Sequence, residues 1–178
     1  GSGSLMDTAV QDFVDSLEES GAAQNVSLKK DGELGYLIDF SFTDFQTLFN
    51  TLAGRDQSVF RLVRGGSTTT FSMRIGMDTY DDLTTMIPFL ADPNFEVYGP
   101  VYNQDLNEAD YLEMIGYVLG EEGPGAIERS SITVRFSTPS PIRNQTGGRL
   151  VYGTTFEYSF PLIDFLLLHE PLEFTVSW

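Results

Sequence analysis

The last third of the chain constrains the fold most, because apolar and polar residues alternate there in three separate segments. Ile132, Val134 and Phe136 alternate with Thr133 and Arg135. Phe156, Tyr158 and Phe160 alternate with Thr155, Glu157 and Ser159, and Leu172, Phe174, Val176 and Trp178 with Glu173, Thr175 and Ser177. Side chains on a strand point to opposite faces with period two, so each segment reads as a strand with one buried and one wet face. Together they predict a terminal antiparallel sheet covered on one side, with Ile132, Phe136, Phe156, Tyr158, Phe174 and Val176 in one shared core.

Two hairpins precede it. Residues 25–42 turn at Lys30-Asp31-Gly32, and Leu34, Tyr36, Ile38, Phe40 and Phe42 alternate afterwards. Residues 59–77 turn around Gly65-Gly66, with Phe71, Met73, Ile75 and Met77 pointing one way. Helical spacing appears over 5–20, where Met6, Val10, Phe13, Val14 and Leu17 share a face and Gly21 is a stop. Thr43 and Gln46 form a capping box for a helix over 43–54 that carries Phe45, Leu48, Phe49 and Leu52 and stops at Gly54. A further helix over 79–90 meets Pro88, which lacks a backbone donor and should end or kink it.

Residues 92–107 read as irregular. Asn107 caps a helix over 108–119 with a wide apolar arc of Tyr111, Leu112, Met114, Ile115, Val118 and Leu119. GEEGPG after it reads as a loop, and 161–169 as a helical turn or tight apolar loop. The fold class is therefore α+β: a mostly antiparallel sheet of two hairpins plus three C-terminal strands, covered by three to four helices. Residues 1–4, GSGS, read as an expression remnant, and 5–178 as a single domain with no internal repeat and no dividing linker.

Charge and residue usage exclude several functions. The formal charge is −16, from 26 acidic and 10 basic residues, so the phosphate attraction behind nucleic-acid binding is absent and an anionic bilayer repels the chain. No cysteine occurs, which rules out disulfides, thiolate nucleophiles and cysteine-held metal. No run of 18 apolar residues spans a membrane. His169 is the only histidine and has no G-x-S-x-G elbow to serve; it reads as an edge or cap residue. Arg61 and Arg64 beside Gly65-Gly66 resemble an anion site but read as solvated hairpin charge. Asp92, Asn94, Glu96, Asp105, Asn107, Glu108 and Asp110 offer hard oxygens for calcium without the spacing of an EF-hand, and helix capping already accounts for Asn107 and Asp110. The glycines at 120, 123 and 125 are no P-loop. No catalytic residue, metal ligand or cofactor is assigned, and the chain reads as non-enzymatic.

SSITVRFSTPSPI, the turn GGRLVYG and TTFEYSFPLIDFLLLHEPLEFTVSW resemble the ectodomains of LppM-like bacterial envelope lipoproteins, spirochaete lipoproteins included. The likeness covers 128–178, with a looser echo in GELGYLIDFSFTDF. It implies an α+β domain, a periplasmic or surface location, a lipid anchor at an amino-terminal cysteine that would precede Leu5, and in some members an apolar cavity for lipids. It carries no functional residue over.

From the residues themselves, 79–90 and 108–119 have broad apolar faces with adaptable methionines. This motivates a lipid or other apolar ligand held by Tyr80, Met86, Phe89, Tyr111 and Met114, with Tyr80 or Tyr111 orienting a neutral or zwitterionic head. The alternative is an envelope interaction domain with a protein partner and no small-molecule site. A packed interior with exposed apolar surface would favour that alternative.

Overall fold

The computed structural model describes residues 2–31 and 35–178, with side chains described for 7–30 and 35–178. The chain is α+β. It divides into two compact units, residues 1–57 with 82–89 and residues 58–81 with 90–178.

The first unit begins with α1 (Ser2–Glu19), so a helix runs through part of GSGS as well as the expected 5–20 stretch. Ala9, Val14 and Leu17 are its buried residues, and Gly21 takes a positive φ of 67° at the stop. α1 lies against β1 (Ala23–Asp31), which pairs antiparallel with β2 (Gly35–Phe42). The expected hairpin is thus present, while its Gly32 and Leu34 lie outside the described residues. Tyr36, Ile38 and Phe40 are half-buried and Leu37, Asp39 and Ser41 exposed, as alternation requires. Phe42 departs from that row: it is 39% exposed and sits edge-on to Phe45 and Phe49, with ring centroids 6.2 and 6.3 Å away.

α2 (Phe45–Ala53) buries Phe45 and Leu48 and ends at left-handed Gly54, as expected. Its N-cap is Asp44 and not Thr43. The Asp44 carboxylate accepts the Thr47 N–H at 2.9 Å, and Gln46 donates to Asn50 instead of closing a box. A carboxylate at the positive end of a helix is a stronger acceptor than a neighbouring hydroxyl, and capping from 44 starts the helix one residue later.

The second unit holds the two main sheets. β3 (Phe60–Gly65) and β4 (Thr68–Ile75) form the second hairpin, with Gly66 at φ 59° in its turn. Phe71, Met73 and Ile75 are buried; Met77, past the strand end, is 41% exposed and not in their row. α3 (Tyr80–Met86) ends before Pro88, and a 3-10 turn (Pro88–Ala91) replaces the rest of the expected 79–90 helix. The boundary between the units falls within α3.

Residues 92–107 are not irregular. They hold α4 (Pro93–Glu96), capped by Asp92, and α5 (Pro100–Asn103), each with proline in its first turn, where no N–H is needed. α6 (Glu108–Leu119) is capped by Asn107 as expected. Only part of its arc is covered: Tyr111 and Ile115 are buried, but Val118 and Leu119 are 52% and 54% exposed. GEEGPG opens another helix, α7 (Glu122–Glu128). Its glycines serve packing: a Cβ at Gly123 would stand 3.1 Å from Ile115 and Leu119 of α6.

The three alternating segments do not share a sheet. β5 (Ser131–Ser137), β7 (Arg149–Tyr152) and β8 (Thr155–Pro161) make one sheet in the order β5-β8-β7. β9 (Leu172–Ser177) lies in the other, ordered β3-β4-β9-β6, with β6 (Asn144–Thr146) at its edge. GGRLVYG is therefore not merely a turn, since it supplies β7. The expected common core nevertheless forms, because the apolar faces of the two sheets meet. Phe174 has four aromatic neighbours: Phe156 at 5.0 Å, Tyr158 at 5.3 Å, Phe71 at 5.6 Å and Phe136 at 5.8 Å. Val176 is fully buried, while Ile132 and Phe136 are half-buried. α8 (Leu162–Leu167) follows β8 as the expected helical turn, burying Ile163, Phe165, Leu166 and Leu167.

Two glycines let the chain pass from one sheet to the other between β6 and β7. Gly147 has φ 89°, and a Cβ there would lie 2.6 Å from the Glu173 carbonyl oxygen. A Cβ on Gly148 would lie 2.7 Å from Cε2 of Phe156.

Candidate functional site

The five residues expected to line a ligand site are divided by the fold. Met86 and Phe89 belong to the first unit; Tyr80, Tyr111 and Met114 belong to the second. Met86 is buried and Phe89 half-buried. Tyr80 is buried beside Phe165, ring centroids 6.2 Å apart, and its hydroxyl oxygen is 3.4 Å from where a Gly99 Cβ would stand. Burial, with the Glu96 carboxylate adding to it, pushes the Tyr80 phenol up to about 12. Tyr111 is fully buried and donates its hydroxyl to the Tyr98 carbonyl at 2.7 Å, and burial raises its pKa too. That hydroxyl joins the start of α6 to the end of α4, so it is already used within the protein. Met114 is half-buried.

Two depressions lie elsewhere, and both open to solvent. One, of 480 Å³, runs along α2 past Gln46, Asn50, Arg55 and Asp56. The other, of 720 Å³, lies on the outer face of the four-stranded sheet. There Arg61, Ser72, Thr175 and Thr146 form one row across all four strands. Beside them Arg74 binds Glu173 at 2.8 Å and Asp78 at 3.1 Å. Those hydrogen bonds hold both carboxylates to a permanent cation, a poor arrangement for proton transfer. Arg61 and Arg64 are both exposed, but an interval of three along β3 puts them on opposite faces, so they do not converge on one anion.

His169 is exposed, just after left-handed Leu168, in the turn before β9. Among the candidate calcium oxygens, Asp92 accepts the Asn94 N–H at 2.8 Å, and Asn107 accepts the Asp110 N–H at 2.9 Å while donating to the Asp110 carboxylate. These groups are engaged as helix caps. Among the described residues, no three His, Asp or Glu side chains are arranged to hold a metal ion, and no helix is long and apolar enough to cross a membrane.

Two features escaped the sequence reading. On the outer face of the three-stranded sheet, Glu157 sits between Arg135 at 2.5 Å and Arg149 at 2.7 Å. Their hydrogen bonds hold its carboxyl below the usual carboxylate range. The pairing was invisible because it needs the β5-β8-β7 order. The second is charge segregation, which a running tally of charge would have found. Residues 75–128 contain twelve carboxylates and no lysine, arginine or histidine, whereas 58–74 with 129–178 carry seven arginines against four carboxylates. The anionic stretch also holds exposed Val97, Val101, Tyr102, Tyr117, Val118 and Leu119.

Compared with family models, curated proteins and solved structures, the chain gives no match.

Proposed function

We propose that the chain is a non-enzymatic protein-interaction domain of the bacterial cell envelope, tethered in the native protein by a lipid anchor. The envelope location and anchor rest on the LppM-like resemblance of residues 128–178. The interaction reading rests on one contrast: the sheet interior is filled by aromatic rings around Phe174, while large apolar side chains stand in solvent along α4, α5 and α6. Exposed tyrosine and clustered aliphatic side chains are what the core of a contact surface is made of, and the acidic residues around them suit its polar rim. A lipid carrier built on Tyr80, Met86, Phe89, Tyr111 and Met114 is the weaker reading, because the Tyr111 hydroxyl is committed to Tyr98, which leaves Tyr80 alone of the two phenols to orient a polar head.

Native mass spectrometry and displacement of a fluorescent fatty acid test the choice. They are paired with a photo-crosslinking residue at Tyr117 or, as control, at Arg61, in bacterial envelopes. The expected result is protein free of lipid, no probe uptake, and a discrete adduct from position 117 alone. Co-purified lipid with probe displacement would replace the interaction reading by the lipid one.

A further inference from the structure

Resting on the interaction reading, we infer that the end of α6 docks a Lys/Arg-rich amphipathic helix of a partner protein. In an α-helix Tyr111, Ile115, Val118 and Leu119 fall within an arc of about 100°. This one face is buried at Tyr111 and Ile115, then runs on uncovered at Val118 (52% exposed) and Leu119 (54%). The neighbour that could cover the last turn is α7, and it presents glycine and proline. A Cβ on Gly123 would be 3.1 Å from Leu119, and one on Gly116 would be 3.5 Å from Pro124. α7 thus approaches closely through the small residues of its first turns, and Val118 and Leu119 remain more than half exposed beside it.

The rim of this turn decides the kind of partner. Glu121 and Glu122, both exposed, follow this turn directly, Glu128 is exposed at the end of α7, and the sequence holds no cation between Arg74 and Arg129, whose guanidinium lies against Gly125. An acidic partner would be repelled, and a purely apolar one would leave the carboxylates without counter-charge. A basic amphipathic helix meets both demands, burying aliphatic side chains on the uncovered turn while lysine and arginine stems reach the carboxylates.

The test uses the full chain and a fluorescent Lys/Leu amphipathic peptide of about five helical turns. It is compared with a Glu/Leu peptide, a polylysine of equal length and phosphatidylcholine vesicles, in about 0.15 M salt. The Lys/Leu peptide should bind, and the others should not. The double substitution Val118→Ser with Leu119→Ser should weaken binding about tenfold or more, while Val63→Ser with Leu150→Ser, on the sheets, should leave it unchanged. Circular dichroism confirms that both variants fold; all four positions are at least 45% exposed. Equal binding by polylysine, indifference to the α6 substitutions, or binding to vesicles alone would overturn the inference. If the peptide fails while the position-117 adduct persists, the partner's chemistry is wrong and the interaction reading stands; co-purified lipid removes that reading itself.

Discussion

Replacing Gly147 by alanine tests the sheet-to-sheet crossing most directly. At φ 89° an L-residue is strained by about 1–2 kcal/mol. The added methyl would also stand 2.6 Å from the Glu173 carbonyl oxygen and 3.2 Å from Cα of Phe174. Those are backbone atoms of β9, paired on one side with β4 and on the other with β6, so no side-chain rotation relieves the clash. Overpacking of this kind costs about 1–3 kcal/mol, giving roughly 3 kcal/mol in all. Gly66→Ala is the matched control: its φ of 59° carries the strain, but nothing lies within 4 Å of the new methyl, so about 1 kcal/mol is expected. Gly153→Ala, with neither positive φ nor neighbour, should be near neutral. Fluorescence of Trp178, the only tryptophan, follows unfolding of this unit in urea. In melting temperature the Gly147 variant should fall about 6–12 °C, against about 2–4 °C for Gly66. Equal losses at 147 and 66 would refute the close approach and leave only conformational strain.

Phe174→Asp should unfold the second unit, because an unpaired carboxylate among four rings costs several kcal/mol, whereas exposed Thr175→Asp should be tolerated; near-ultraviolet dichroism distinguishes them. Asp44→Ala should cost about 1 kcal/mol and Thr43→Ala almost nothing, as read from denaturant midpoints of the first unit. Because the Glu157 carboxyl is held below its usual range, its clamp stabilises the fold above the unfolded-state value and is lost as pH falls through the lower folded value. The stability gap between wild type and Glu157→Gln should therefore be constant above about pH 5 and shrink below about pH 4.

Local patterns were legible where one residue fixes its own surroundings. Period two located β2, β4, β5, β8 and β9; Asn107 and Gly54 marked helix ends by their own chemistry. Partnering was not legible. Alternation says that Phe174 faces a core but not which strands flank β9, and the answer, β4 and β6, depends on residues far away in sequence. The glycines and prolines of GEEGPG suggested a loop because their local preference is for turns, yet Gly123 is needed where α7 approaches α6. Thr43 and Asp44 are adjacent cap candidates, and only geometry shows whose oxygen reaches Thr47. The five residues of the expected ligand site lie on apolar faces, and an apolar face is common to core and pocket.

The pairing of β4 with β9 bears on how the protein is made. Arg74 meets its cross-strand partner Glu173 across 99 positions of chain. During synthesis the β3–β4 hairpin emerges early with Phe71, Met73 and Ile75 on one face, and the strand and rings that cover them come roughly a hundred residues later. At about 5–20 residues per second this leaves an apolar ribbon with a vacant edge for several seconds or more. Arginines at 61, 64 and 74 flank that ribbon, and like charges on neighbouring nascent chains discourage edge-to-edge pairing during the wait.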